Sequence, residues 1–145
     1  MVDDNCLFCR IVSGEVAAHV VYEDKNSFAF LDHRPLFPGH TLLVPREHVE
    51  TLGELPTKLI GPYFEAAQLL SRAVESAMEA EGTFVAMNNR VSQSVPHLHV
   101  HIVPRRKKDG LKGFFWPRTK YKADEEMEEV KKKITAALKK TTQQK

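Results

Sequence analysis

The stretch that decides how the chain is read is residues 95–105, VPHLHVHIVPR. His97, His99 and His101 alternate with the apolar Leu98, Val100 and Ile102, and alternate side chains of an extended strand share one face. At a rise of about 3.3 Å per residue, neighbouring histidines stand roughly 6.6 Å apart and the outer two roughly 13 Å apart. One small ion cannot easily take three imidazoles spread in this way. The pattern points instead to a reacting histidine in the middle with helpers on either side, because imidazole serves as nucleophile, acid or metal ligand near neutral pH. A lone histidine here would read as the wet face of a half-buried strand; three in strict alternation do not.

Upstream of this strand, residues 83–87 form a β-rich run and residues 88–94 a polar loop. Before them, Leu59, Tyr63, Ala66, Leu70, Val74 and Ala77 recur at spacings of three and four, which predicts an amphipathic helix within residues 56–81 that stops at Gly82. Pro62 interrupts the stripe, so residues 56–61 are expected to form a separate turn with Pro62 opening the longer helix. Residues 19–22 and 27–31 read as a hairpin, and TLLVP at 41–45 as a third strand that starts beside His40. Residues 11–14 read as a turn. Near the other end, residues 124–140 predict a last helix with Met127, Val130, Ile134 and Leu138 on one side, acidic at its start and basic at its end. Strands grouped around one main helix predict an α+β domain with a five-stranded antiparallel sheet. The expected division is a domain over 1–122, with a C-terminal amphipathic helix and frayed tail over 123–145 packed on it.

At 145 residues, 42% of them hydrophobic, the chain suits one ordinary core. No apolar run approaches a membrane span, and MVDDNCLFCR lacks the apolar segment of a secretion signal, so a soluble, cytoplasmic protein is expected. The net charge of +2 hides an asymmetry. Residues 1–104 carry seven Lys/Arg against thirteen Asp/Glu, and residues 105–145 fourteen against six. Such a basic segment can attract phosphate-bearing ligands, or be a solvated helix face. Nucleic-acid binding is not expected, because the segment lacks repeated aromatic interleaving. The two cysteines, Cys6 and Cys9, suggest a metal pair or a redox pair rather than a disulfide framework; they also read as two small buried apolar side chains.

The run His97-Leu98-His99-Val100-His101-Ile102-Val103 resembles the motif that names the histidine triad (HIT) superfamily. Gln93-Ser94-Val95 resembles the polar loop of its nucleoside phosphoramidase branch. Asp32, then Pro-Gly-His at 38–40 and TLLVP, resemble its ribose-binding and phosphate-side elements, and CLFCRIVSGE at 6–15 resembles the metal-bearing bacterial-type N-terminus. The similarity runs over residues 6–106 in order. It departs at Ser92, where the family usually has glycine, and in a shorter loop from Asn88-Asn89 to Gln93.

The resemblance implies a HIT-like fold, a homodimer with sheets joined across a two-fold axis, and hydrolysis or transfer at the α-phosphate of a purine nucleotide conjugate. In that reading His99 is the nucleophile and His101 a donor to the phosphoryl oxygens. His40 lies near the same phosphate, Ser94 and Gln93 serve the leaving group, and Asp32 with Asn88 or Asn89 binds substrate. Taken without the family, Asp32 reads equally well as a turn residue. The same resemblance implies structural zinc held by Cys6, Cys9, His48 and His97, a ligand set suited to a closed site. Phe114, Phe115 and Trp116 are offered as interface or as core. Three functions compete: a phosphoramidase, a dinucleoside polyphosphate hydrolase that uses Arg105–Lys108 and Lys112 for the extra phosphates, and a non-catalytic nucleotide-binding scaffold.

Overall fold

The computed structural model describes residues 3–111 and 118–143. Its first elements are helix α1 (Leu7–Val12) and strands β1 (Val20–Glu23), β2 (Ser27–Leu31) and β3 (Thr41–Pro45), followed by helix α2 (Thr57–Ala77), strands β4 (Gly82–Ala86) and β5 (Val100–Arg105), and helix α3 (Asp124–Gln143). The five strands make one antiparallel sheet in the order β1-β2-β3-β5-β4. Two compact units divide the chain, Met1–Asp109 and Gly110–Lys145. The second contains α3, which is acidic in its first turn and carries Lys140 in its last, as the helix dipole favours, and which runs to Gln143, past the expected end at 140. Phe114, Phe115, Trp116 and Lys112 lie outside the described residues. Among the described residues, no helix is long and apolar enough to cross a membrane.

Alternation along the strands builds two cores, one on each face of the sheet. Ala29, Leu43, Val100 and Ile102 meet Tyr63, Ala66, Ala67, Leu70 and Val74 of α2 on one face. On the other, Phe28, Phe30, Leu42 and Val44 pack with Phe8, Cys9 and Ile11 of α1. Tyr63 is almost wholly buried, and its hydroxyl donates to the Leu43 carbonyl at 2.7 Å. His101 pairs across the sheet with Leu42 on one side and Ala86 on the other, so it belongs to the α1 face.

The structure corrects several sequence expectations. Helix α2 is continuous from Thr57, with Pro62 inside it rather than opening it. Near the start of the helix, the missing proline N–H removes a single bond, the one to the Lys58 carbonyl. The helix also ends earlier, because Glu79 adopts φ +51 and the Ala80 N–H closes back on the Glu75 carbonyl at 2.9 Å; Gly82 instead begins β4. The expected turn over 11–14 is half helix: α1 (Leu7–Val12) takes in Cys9 and runs through residues 11 and 12, its six residues too few to show a period, and the chain turns only at Ser13 and Gly14. His97 and His99 precede β5 rather than lying in it. The β3–β5 ladder stops at Leu43↔Val100, and β3 ends at Pro45, which has no N–H to continue a ladder. The freed backbone turns, with the Leu98 N–H donating to the Val49 carbonyl at 2.7 Å.

Gly39, next to His40, sits at φ +96, and a Cβ there would lie 2.6 Å from Cγ of Met78 at the end of α2. Gly39→Ala should therefore destabilise the fold by about 1–3 kcal/mol, read as a lower urea midpoint at unchanged m-value. An unchanged midpoint would contradict the packing described.

Candidate active site and metal centre

Two clusters of side chains flank the residues that lead into β5. In the first, Cys6 precedes α1 and Cys9 lies within it, His48 follows β3, and His97 precedes β5. Nδ1 of His97 is 3.4 Å from Sγ of Cys6 and 3.5 Å from Sγ of Cys9, and Nδ1 of His48 is 3.3 Å from Sγ of Cys9. Around a tetrahedral ion with metal–sulfur bonds of about 2.3 Å and metal–nitrogen bonds of about 2.0–2.1 Å, sulfur and nitrogen stand roughly 3.5 Å apart. The four ligand atoms therefore fit one small cation.

Protonation agrees with that fit. Nε2 of His97 lies 2.8 Å from the Pro45 carbonyl, which can only accept, so Nε2 carries the proton and Nδ1 turns a lone pair toward the thiols. Burial pushes the His97 pKa down to about 4, with His48 and His99 pushing the same way and the Pro45 bond opposing. Burial likewise raises the Cys9 thiol, so thiolate there needs a cation beside it. Four protein ligands leave no open position, which is the arrangement of a structural centre.

The second cluster contains Asp32, His40, His99 and His101, and its hydrogen bonds fix each tautomer in turn. Nδ1 of His99 is 2.7 Å from the His97 carbonyl, so Nδ1 donates and the Nε2 lone pair is left available. The backbone N–H of Leu36 donates to Nδ1 of His40 at 3.0 Å, so His40 carries its proton on Nε2. That nitrogen is 3.0 Å from Nδ1 of His101, which accepts, leaving the His101 Nε2–H as an outward donor. The His99 and His101 rings lie 4.9 Å apart between centroids, closer than their strand spacing because they tilt together.

All three imidazoles are neutral at pH 7. Burial lowers the pKa of His99 against the opposing pull of the His97 carbonyl and Asp32. Burial, reinforced by His99 and His40, takes His101 down to about 4, and burial lowers His40 although Asp32 opposes it. The 3.7 Å contact between Asp32 Oδ2 and His40 Nε2 is therefore not an ion pair. Oδ1 of Asp32 accepts the Arg34 N–H at 2.9 Å, and the carboxylate is partly exposed.

The polar loop is organised separately. Asn89 Oδ1 accepts the Leu52 N–H at 2.8 Å, Asn88 donates to the Ser92 carbonyl at 3.2 Å, and Ser94 is exposed. Gln93 accepts from the Arg90 N–H at 2.8 Å and donates to the Glu50 carbonyl at 2.6 Å. Ser92 holds φ +59 and Arg90 φ +69, so serine occupies a backbone position that glycine would take without strain. Among the described residues, no hydrogen bond joins this loop to His99 or His101. The two arginines of the basic run are also committed: Arg105 makes a two-pronged pair with Asp109 at 2.5 and 3.1 Å, and Arg106 donates to the Met78 carbonyl. Two participants are beyond a sequence reading: the Leu36 N–H and the Pro45 carbonyl are backbone groups that leave no sequence signal.

The HIT domain family matches residues 13–108. The chain is 38% identical to Protein hit of Bacillus subtilis, covering 78% of this chain and 79% of that protein. It is 34% identical to adenosine 5'-monophosphoramidase HNT1 of Saccharomyces cerevisiae, over 75% of this chain and 68% of the relative. It is also 34% identical to adenylylsulfatase HINT3 of Arabidopsis thaliana, over 74% and 56%. Among solved structures, a HIT family protein from Bacillus subtilis superposes with TM-score 0.82 at 33% identity, covering 92% of this chain and 96% of that one. A Zn-bound histidine triad protein from Mycobacterium smegmatis superposes with TM-score 0.70 at 37% identity, covering 79% and 84%.

The lowered His101 pKa carries a stability consequence. Between about pH 6.5 and 4 the unfolded chain binds a proton at this position that the folded chain does not, so stability is full above that window and falls as pH drops through it. The melting temperature should decline across this range, and less steeply in His101→Asn, as followed by thermal unfolding at a series of pH values. Equal slopes in the two proteins would contradict a neutral, buried His101.

Proposed function

The chain belongs to the HIT family, and on that premise we propose that it cleaves the α-phosphate bond of purine nucleoside phosphoramidates or related AMP conjugates through a nucleotidyl-histidine on His99. The observation that carries this reading is the tautomer of His99. Its Nδ1–H is committed to a carbonyl, so Nε2 holds a neutral imidazole lone pair at pH 7. In the first step Nε2 attacks the α-phosphorus, the bond from phosphorus to the leaving nitrogen or oxygen breaks, and the leaving group takes the electron pair and a proton that the exposed Ser94 hydroxyl relays from solvent. The Nε2–H of His101, oriented through His40, donates to a phosphoryl oxygen as negative charge gathers there. Asp32 accepts from the ribose hydroxyls. Water then attacks phosphorus and gives up a proton to solvent, the bond to Nε2 breaks with its electron pair returning to the imidazole, and AMP departs. Ser94 is the exposed hydroxyl assigned to the leaving group; Gln93, Asn88 and Asn89 serve by holding the loop that carries it.

The metal is assigned as zinc. The two-thiol, two-imidazole donor set and its spacing support that choice, as does the Zn-bound relative. When bound, zinc supplies cross-linking rather than Lewis acidity. A homodimer is also inferred, supported by the outer edge of β4, which stands at the end of the sheet where a second copy can pair.

The relatives include both an AMP phosphoramidase and an adenylylsulfatase, so the leaving group is decided by rates on adenosine 5'-phosphoramidate, adenylyl sulfate and a diadenosine polyphosphate. The phosphoramidate should be cleaved faster than the diadenosine polyphosphate, because Arg105 and Arg106 already have partners and are poorly placed to hold extra phosphates. His99→Ala should lose at least about 10³-fold in AMP release while retaining its circular dichroism. Binding without turnover in the wild type would favour the scaffold reading. Metal analysis should find about one zinc per chain, lost together with thermal stability in Cys9→Ser; a fully stable, metal-free wild type would refute the zinc assignment.

A further inference from the structure

We propose that Phe8 is a positioning residue that links the metal centre to the nucleophile, with ligation at Cys6 and Cys9 setting the ring that fixes the plane of His99. This rests on the reading of His99 as the attacking group. Phe8 lies between the two thiols in sequence and is 5% exposed. Its ring stands edge to face against His99 at 5.1 Å and 90°, against His97 at 6.0 Å and 64°, and against Phe30 at 5.3 Å and 70°. One phenyl ring thus touches both a metal ligand and the proposed nucleophile, with Phe30 behind it.

The hydrogen bond to the His97 carbonyl settles which nitrogen of His99 is free, but a single bond at Nδ1 leaves the ring able to swing about it. Contact with Phe8, together with the His101 ring, removes that freedom and keeps Nε2 aimed. Phe8 in turn is held by α1, which has six residues and no side-chain N-cap. A helix that short has almost no stability of its own, so its place depends on its anchors, and the two thiols are anchors on either side of Phe8. Loss of metal would then release Phe8 and let the His99 ring reorient without any change in the His99 residue itself.

The test compares wild type, zinc-stripped wild type and Phe8→Leu by metal content, steady-state kinetics on adenosine 5'-phosphoramidate, and the ¹H–¹⁵N signal of the His99 ring. Phe8→Leu should keep its zinc and a near-normal KM but lose about tenfold or more in kcat, since small misplacements of a reacting group cost rates of this order. Its His99 Nδ1–H signal should broaden or shift, stripping zinc from the wild type should reproduce that change, and stripping zinc from Phe8→Leu should add little to it. A full further change there would mean that the metal acts through the His97 carbonyl and would overturn the link through Phe8. Unchanged kcat and an unchanged ring signal would overturn the proposal. So would a kcat loss that appears only together with zinc loss, which makes Phe8 mere packing for the metal centre, or an effect confined to KM, which makes it a nucleoside contact. Should Phe8→Leu fail to fold, an unchanged ring signal in the zinc-stripped wild type overturns it. If the wild type turns over no conjugate, the function proposed above fails, while the ring signals still decide the role of Phe8.

Discussion

The rest of the site depends on how His97 is held. Its Nε2–H is tied to the Pro45 carbonyl, its Nδ1 faces the two thiols, and its own carbonyl receives the Nδ1–H of His99. One residue is therefore both a candidate metal ligand and the group that chooses the tautomer of His99, the proposed nucleophile. Pro45 makes this possible by ending the β3–β5 ladder, because the carbonyl that a longer ladder would occupy is left for a side chain. The sheet stops being regular at the point where the chemistry starts.

Burial sets the charge state around that point. In water these imidazoles would be partly protonated near neutral pH. Here desolvation outweighs the nearby Asp32 carboxylate and keeps His40, His99 and His101 neutral. Neutrality lets a backbone N–H at Leu36 dictate, through His40, which nitrogen of His101 donates. A protonated His40 would donate from both nitrogens and clash with the Leu36 N–H, so the order of the chain depends on the dry environment that the α1 face provides.

Much of this was legible in the sequence, and the missing parts have physical reasons. Alternation at 97, 99 and 101 marked histidines that the structure gathers around one strand end, and the stripe from Leu59 to Val74 marked the helix that backs the sheet. The thiol and imidazole types of Cys6, Cys9, His48 and His97 marked a ligand set that the structure brings together. Helix α1 was missed because six residues hold too little periodicity, and its stability comes from tertiary anchors rather than propensity. The end of α2 was misplaced because Glu79, not glycine, takes the left-handed position. The roles of Asn89 and Gln93 in stapling the loop to residues 50–54 depend on backbone partners that no side-chain pattern reveals.

The most direct measurement is to mix the protein with adenosine 5'-phosphoramidate, quench it rapidly, and map any covalent adduct by mass spectrometry of the peptides. The account predicts a transient adenylyl group on His99 that is absent from the His99→Ala protein. An adenylyl group on His97 or His101, or AMP release with no adduct under conditions that trap phosphoramidate bonds, would contradict it.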